Sequence, residues 1–155
     1  MTHRLLPTFA AALLALAAGT TCLAAGVETT PVQNARVDDF TAGKSALDAK
    51  QWRLASEHFS KVVAQDARNA DAWNLLGYSL RWQERYDEAF AAYGKALAID
   101  PNHKGALHYS GIGYLKVGRQ AAAEEQLARL QKICAGCTET SQLAKAVADA
   151  KVAAK

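Results

Sequence analysis

Glycine recurs in this chain at a fixed interval of 34 residues, and each of these glycines is followed twelve residues later by an alanine. The glycines are Gly43, Gly77 and Gly111, and the alanines are Ala55, Ala89 and Ala123. Two small residues locked to one period mark places where two helix backbones approach closely, because a larger side chain would push the helices apart. The spacing therefore predicts an array of helical hairpins with a repeat of about 34 residues.

Larger side chains occupy other positions of the same repeat. One set of equivalent residues is Phe59, Tyr93 and Leu127, a second is Val62, Ala96 and Leu130, and Trp52 is equivalent to Tyr86. We expect these residues to fill the space that the small residues leave inside each hairpin.

The middle copy carries the fullest motif, which reads Trp73-x2-Leu76-Gly77 and continues with Tyr86, Ala89-x3-Tyr93, Ala96 and Pro101. This motif resembles the tetratricopeptide repeat, a helical hairpin of 34 residues. The resemblance covers three copies, residues 36–69, 70–103 and 104–137, and it implies an all-α fold, a short right-handed α-solenoid. The outer copies depart from the motif: Asp39 and Leu107 replace the tryptophan, and Ala67 replaces the proline.

Local chemistry predicts several helix ends. Asn69 is suited to cap a helix that begins near Ala70, because its side chain can accept a hydrogen bond from an unpaired backbone N–H. Pro101 cannot continue the preceding helix, so that helix should end near Ile99. Gly118 suits the left-handed turn that closes a helix.

Residues 138–155 are predicted to form one more helix, on which Leu143, Val147 and Ala150 share a face. Repeat arrays need such an amphipathic helix at the end, because the last hairpin would otherwise expose its stacking surface. We expect this helix to be a cap. No segment shows the alternating pattern of a strand.

The N-terminal residues resemble a secretory signal peptide. His3 and Arg4 precede an apolar stretch that is too short to span a bilayer, and small residues follow up to Gly26. Residues 1–25 are therefore expected to be removed on export to the periplasm or cell envelope, with residues 26–35 as a flexible lead-in. The alternative is lipoprotein processing at Cys22, which would attach the chain to the outer membrane. Without that lipid, no membrane insertion is expected.

Charge and motifs argue against several other functions. The formal net charge is only +3, and acidic and basic residues are interspersed, so the sequence does not predict a basic surface that would bind nucleic acid. The Gly111-x-Gly113 pair does not follow a strand, so it is not a phosphate-binding loop. No catalytic site, cofactor site or metal site is predicted, and the chain is interpreted as a binding module without enzymatic activity.

Cys134 and Cys137 are separated by two residues at a predicted turn. In an exported protein such a pair favours a structural disulfide. Two alternatives remain open, a redox-active thiol pair and a metal site, although the second would need further ligands. Residue 138 is threonine, so the haem-attachment pattern is absent.

The family resemblance also implies where a partner would bind. In tetratricopeptide arrays the first helix of each hairpin lines a concave face. The equivalent outward positions here are Phe40, Lys44, Leu47, Asn74, Tyr78, Arg81, Trp82, His108, Ile112, Leu115 and Lys116. For Phe40, Ile112 and Leu115, packing between repeats is an equally good interpretation. Some family members clamp a terminal carboxylate with lysines and asparagines, a pattern that Phe40 and Lys44 do not match.

Two functions are consistent with these residues. The first is an exported interaction module that holds a protein or peptide partner in its concave groove. The second is a thiol-active or metal-handling envelope protein that uses Cys134 and Cys137. The sequence does not name the partner.

Overall fold

The computed structural model describes residues 31–153, with side-chain surroundings for residues 39–153. This part of the chain contains seven helices and no strand. The helices are α1 (Pro31–Asp48), α2 (Trp52–Gln65), α3 (Ala70–Trp82), α4 (Tyr86–Ile99), α5 (Lys104–Lys116), α6 (Gln120–Cys134) and α7 (Thr138–Ala153). None of these helices is long and apolar enough to cross a membrane.

The helices pair in chain order. Helices α1 and α2, α3 and α4, and α5 and α6 form three hairpins, and each hairpin packs on the next through α2–α3 and α4–α5 contacts. Helix α7 packs against both α5 and α6. The all-α solenoid of three hairpins with a terminal cap helix is therefore confirmed.

The small residues of the repeat lie where the hairpin helices approach most closely. A Cβ atom added to Gly43 would lie 2.9 Å from the ring of Phe59, and one added to Gly77 would lie 2.7 Å from the ring of Tyr93. Both distances are well inside van der Waals contact, so any larger residue would force the helices apart. The alanines of the same repeat position, Ala55, Ala89 and Ala123, are completely buried.

The third hairpin fills this space in a different way. The nearest atoms to a Cβ added at Gly111 belong to Leu143 of α7, at 2.6 Å. Leu143 is fully buried, and Val147 lies one turn further along the same face. The cap helix therefore places its own apolar side chain against the last repeat glycine, which supports the predicted role of α7 as a lid.

The turns inside the three hairpins share one backbone conformation. Lys50, Glu84 and Gly118 all have a positive φ, of 56°, 60° and 72°, and they are spaced by one repeat length. Only the third uses glycine, the residue that adopts this conformation without strain. The left-handed turn predicted at Gly118 is confirmed. The first two hairpins make the same turn with Lys50 and Glu84, which adopt this conformation at a cost in conformational energy.

Two equivalent residues cap the first helices of the second and third hairpins. The side chain of Asn69 accepts a hydrogen bond from the backbone N–H of Ala72 at 2.9 Å, as predicted. His103 does the same for Ala106 through Nδ1 at 3.2 Å. Its other ring nitrogen, Nε2, lies 3.0 Å from a carboxylate oxygen of Asp71, so His103 ties α5 to α3. Helix α4 ends at Ile99, before Pro101, as expected.

The first helix begins earlier than the sequence indicates. Residues 26–35 were expected to be a flexible lead-in, but α1 starts at Pro31. Proline is compatible with this position because the first turn of a helix leaves its N–H groups unpaired in any case. Residues 26–30 and the predicted signal peptide, residues 1–25, lie outside the described residues.

The first repeat replaces the tryptophan of the motif with an ion-pairing residue. Asp39 stands at the position of Trp73, and its carboxylate lies 2.8 Å from Nδ1 of His58 and 3.6 Å from the ammonium of Lys61. A polar contact between α1 and α2 therefore replaces the apolar contact that a tryptophan would make.

The contact between Gly77 and Tyr93 gives a direct test of the packing. We expect Gly77→Ala to lower the free energy of unfolding by about 1–3 kcal/mol, because the added methyl group overlaps a buried ring. Gly94→Ala is the matched control, since Gly94 also lies inside a helix but a Cβ there meets nothing within 4 Å. The control should stabilise the protein by about 0.5–1 kcal/mol. Chemical denaturation of both variants is the measurement, and equal effects would contradict the packing.

Candidate functional site

Helix α3 separates two surfaces of the molecule. Its residues Trp73, Leu76 and Leu80 face the space between α2 and α4. Tyr78 and Trp82, which are four residues apart, lie on another face and meet aromatic rings of α2 and α5. The candidate binding surface therefore lies on this second face of the central repeat.

Four aromatic residues from three helices meet there, and we call them the aromatic patch. Trp82 stacks on Trp52, with ring centroids 5.1 Å apart and planes inclined by 11°. Tyr78 contacts Trp52 edge-on at 6.1 Å and lies 4.6 Å from Tyr109. Trp82 remains 47% exposed despite these contacts. A half-exposed tryptophan held by other rings offers a large and rigid apolar surface.

Arg81 lies beside this patch. Its guanidinium carbon is 5.2 Å from the centroid of the Tyr78 ring and 5.0 Å from that of Trp82, within the range of cation–π contact. None of the ion pairs in the described part of the chain involves Arg81. Its Nε atom is buried and has no hydrogen-bond partner. The aromatic rings therefore hold a positive charge that forms no ion pair within the described residues.

Two titratable side chains near Arg81 carry no charge at neutral pH. Burial raises the pKa of Tyr93, although the nearby Arg81 charge opposes this effect, so the phenol stays protonated. Burial also lowers the pKa of His108; Glu139 opposes that shift and Arg81 adds to it. The imidazole is therefore neutral, and it adds no positive charge to that of Arg81.

Several residues expected in the groove instead pack inside the fold. Phe40 meets the ring of Phe59 edge-on at 5.8 Å, and Ile112 and Leu115 pack against the core around Leu107. The structure thus favours the packing interpretation of these three residues. Leu47 likewise packs against the core of the first two hairpins.

Asn74 and His108 are also less accessible than expected, since they are only 6% and 8% exposed. The amide nitrogen of Asn74 would lie 3.0 Å from a Cβ added to Gly105, so Asn74 faces α5 and not solvent. Asn74 therefore lies at the contact between α3 and α5. Neither residue offers a free polar surface to a partner.

Lys44 and Lys116 are exposed and form no ion pair within the described residues. They occupy the first and third hairpins, on either side of the central repeat that carries Arg81. Of the predicted groove residues, the structure therefore brings Tyr78, Arg81 and Trp82 into contact and leaves these lysines as separate charges.

Trp52 and Tyr109 also belong to the site, although no sequence pattern indicated them. Trp52 is the first residue of α2, and Trp82 is the last residue of α3. Because α2 and α3 are consecutive packed helices that run in opposite directions, the start of one lies beside the end of the other. The repeat position of Trp52 suggested only a space-filling role, so its contact with Trp82 became visible only in the structure.

A cavity of about 780 Å³ lies on the other side of α3. Leu54 and Lys61 of α2, Leu80 of α3, and Ala92 and Lys95 of α4 contribute to its walls. It forms because α2 and α4 both pack on α3 and make little contact with each other. The cavity and the aromatic patch therefore lie on different faces of one helix.

Cys134 and Cys137 are free thiols in this structure, so the expected disulfide is not formed in it. The sulfur of Cys137 instead lies 3.0 Å from the carbonyl oxygen of Cys134, to which the thiol donates a hydrogen bond. Residues 39–153 contain no group of three or more residues placed to hold a metal ion. The pairing of the two cysteines stays a prediction.

Comparison with known families gives a match within the central hairpin. Residues 70–103, which comprise α3 and α4, match the model of the tetratricopeptide repeat. The matched residues have the boundaries expected for the middle repeat.

Solved structures of similar fold cover most of the chain. The tetratricopeptide domain of Arabidopsis OM64 has a TM-score of 0.70 at 16% identity and covers 75% of this chain and 96% of its own. The TPR2B domain of yeast Sti1, solved in a pHsp70 complex, has a TM-score of 0.69 at 18% identity, with coverage of 76% and 97%. The type III secretion chaperone SycD of Yersinia enterocolitica, in complex with a peptide of the translocator YopD, has a TM-score of 0.68 at 18% identity, with coverage of 77% and 92%.

Curated relatives are much longer proteins. The general transcriptional corepressor trfA of Dictyostelium discoideum is 30% identical over 86 residues, which are 54% of this chain and 6% of the relative. Human superkiller complex protein 3 is 37% identical over 78 residues, 48% of this chain and 5% of the relative. The chain thus spans only a small part of these proteins. Residues 70–103 thus match the tetratricopeptide repeat, and the described part of the chain has the fold of a tetratricopeptide repeat domain.

Proposed function

We propose that this protein is an interaction module that binds an extended peptide segment of a protein partner across the aromatic patch, with no catalytic step. The observation that carries the proposal is the unpaired charge of Arg81 between Tyr78 and the half-exposed Trp82. Structures of the same fold have been solved with peptides, as the SycD complex illustrates, which supports a binding role.

The aromatic patch suits an apolar side chain of the partner. Trp82 is fixed by stacking on Trp52, so it loses little conformational freedom when a partner covers it. Tryptophan residues in such positions supply a large share of binding energy at protein interfaces. The exposed part of the ring is therefore proposed as the main apolar contact.

Arg81 suits an acidic group of the partner. It forms no ion pair within the described part of the chain, and its guanidinium lies over two rings, which orients it before binding. Lys44 and Lys116 add positive charge on the neighbouring hairpins, where they would attract an acidic segment. The proposed ligand is thus a peptide with a large apolar residue next to an aspartate, a glutamate or a terminal carboxylate.

Trp82→Ala tests the apolar contact. Peptides selected from a random-sequence display library on the purified protein serve as probes, and their affinity is measured by calorimetry. We expect the variant to lose about 2 kcal/mol or more of binding free energy. Its stability should fall by only about 0.5–1.5 kcal/mol, the value of the stacking contact with Trp52.

Leu54→Ala is the control for this variant. Leu54 is 38% exposed and lies on the opposite cavity, so it removes a comparable apolar surface from the other face. Its binding should equal that of the unmodified protein. If both variants lose binding equally, or if only Leu54→Ala does, the aromatic patch is not the peptide site.

Arg81→Gln tests the acidic specificity. The variant should bind the selected peptides about ten-fold less tightly, because a charge-assisted hydrogen bond contributes about 1.5–3 kcal/mol. It should also bind unmodified peptides and peptides with Glu→Gln or Asp→Asn changes equally well, whereas the original protein should discriminate between them. Titrations at several salt concentrations provide the measurement. Equal discrimination by both proteins would show that Arg81 does not contact the acidic group.

We also infer that the protein acts in the periplasm or cell envelope. The support is the pattern of residues 1–25, a short basic start followed by a brief apolar stretch and small residues. Intact-mass analysis of the protein from fractionated cells tests this inference. Removal of about 25 residues and recovery from the envelope fraction is the expected result. A full-length chain in the cytoplasm would contradict it, and a lipid on Cys22 would identify an outer-membrane lipoprotein.

A further inference from the structure

The turn between α6 and α7 holds a cysteine at each end. Cys134 is the last residue of α6, and Cys137 directly precedes the first residue of α7. The thiol of Cys137 donates to the carbonyl oxygen of Cys134 at 3.0 Å and lies 3.6 Å from the hydroxyl of Thr140. The two sulfur-bearing residues are therefore already neighbours in the reduced protein.

The two cysteines occupy opposite electrostatic environments. Cys137 lies at the N-terminus of α7, where unpaired backbone N–H groups stabilise a thiolate, whereas Cys134 lies at the C-terminus of α6, where carbonyl groups oppose one. Interaction with the Cys134 side chain and, more weakly, with the Thr140 hydroxyl lowers the pKa of Cys137, although burial and Glu139 act against it. The same interaction between the thiols raises the pKa of Cys134, while Lys104 has a smaller, opposite effect.

Helix α7 is held in place without a covalent bond in this turn. The hydroxyl of the buried Thr140 donates to the carbonyl oxygen of Cys134 at 2.7 Å, which closes the turn. Leu143 and Val147 then anchor the helix in the core. A bond between the cysteines would therefore add little that the packing does not already supply, and reduction of that bond would leave the cap attached.

The turn is also accessible. Both cysteines are partly exposed, and Ala135 and Gly136 between them are exposed. A Cβ atom added to Gly136 would meet no atom within 4 Å. The turn is therefore open to another molecule at Gly136, next to the partly exposed Cys137.

From this geometry we propose that Cys134 and Cys137 form a redox-active dithiol that exchanges with disulfides of other proteins, with Cys137 as the attacking residue. This activity is separate from peptide binding and does not rest on it. The hydrogen bond that the Cys137 thiol donates to the carbonyl oxygen of Cys134 stabilises the reduced form, and a stabilised reduced form makes the corresponding disulfide easy to reduce. The pair is thus reversible, unlike a structural disulfide.

The exchange proceeds in two steps. The Cys137 thiolate attacks one sulfur of the partner disulfide, which forms a mixed disulfide and releases the other partner sulfur as a thiolate. Cys134 then loses its proton to water and attacks the sulfur of Cys137, which forms the Cys134–Cys137 bond and releases the second partner sulfur. Two electrons pass to the partner, and its two thiolates take up the two protons that the cysteines gave up.

Equilibration with glutathione tests the reversibility. The full chain carries Cys22→Ser, so that Cys134 and Cys137 are its only thiols, and it is incubated at several ratios of reduced to oxidised glutathione. Alkylation and intact-mass analysis then give the oxidised fraction. We expect this fraction to change gradually with the ratio. A pair that stays oxidised at every ratio would be a structural disulfide, and a pair that never becomes oxidised would not be a dithiol couple; either result overturns the proposal.

Single variants identify the attacking residue. In the same background, Cys134→Ser leaves Cys137, and Cys137→Ser leaves Cys134. We expect Cys134→Ser to form a mixed disulfide with oxidised glutathione at least ten-fold faster than Cys137→Ser at neutral pH. The pH dependence of its reaction rate should also be shifted to lower pH. Equal rates, or a faster reaction of Cys134, would contradict the assignment.

Thr140→Val tests the hydroxyl contact. Valine keeps the shape of the buried side chain but removes both contacts of the hydroxyl, the hydrogen bond to the carbonyl oxygen of Cys134 and the 3.6 Å contact with the sulfur of Cys137. The hydroxyl can turn its single proton to the sulfur once Cys137 has lost its own, so the pH dependence of the Cys137 reaction should move to higher pH in the variant. Ser141→Ala is the control, because its hydroxyl donates to the carbonyl oxygen of Cys137 and not to the sulfur. This control should leave the profile unchanged. The same shift in both variants, or in neither, would show that Thr140 does not position the thiolate.

Discussion

The close contact between a repeat glycine and the ring of its own hairpin is the constraint on which the rest of this structure depends. Gly77 lets α3 lie directly against Tyr93, and the completely buried Ala89 provides the matching space on α4. With the helices at this distance, one face of α3 lines the cavity next to α2 and α4, and another meets rings from α2 and α5. A larger residue at position 77 would displace α3, and with it both the cavity and the aromatic patch. The geometry of the binding surface therefore depends on the packing of the hairpin.

The same packing explains how an unpaired cation is tolerated in a small domain. The guanidinium of Arg81 lies over two rings, and cation–π contacts partly compensate its charge. Its buried Nε atom and the hydroxyl of Tyr93 both lack hydrogen-bond partners, which costs stability. A partner carboxylate would supply a counter-charge to this partly exposed side chain. The arrangement is thus less stable alone than a neutralised one would be, and better prepared for an acidic ligand.

The cap helix links the end of the array to the cysteine pair. Leu143 fills the space beside Gly111 that Phe59 and Tyr93 fill in the first two hairpins. This contact, together with the Thr140 hydrogen bond, fixes α7 and so fixes Cys137 at its start. The repeat was sufficient to predict a cap helix. However, Leu127 is the repeat equivalent of Phe59 and Tyr93, and Leu143 of the cap contacts Gly111 in its place because of the way α7 crosses α5. No pattern within a single repeat predicts that crossing.

The sequence by itself determined the number of hairpins, their register, the cap at Asn69 and the helix end before Pro101, because these features arise from residues within one helix or one hairpin. It also identified Tyr78, Arg81 and Trp82 as one surface, since they lie within one turn and a half of a single helix. Only the tertiary structure decided that Trp52 and Tyr109 join them, and that Asn74, His108 and Phe40 turn inward. Those outcomes depend on the angle and distance at which separate helices cross, which side chains from several hairpins set together and no local pattern encodes.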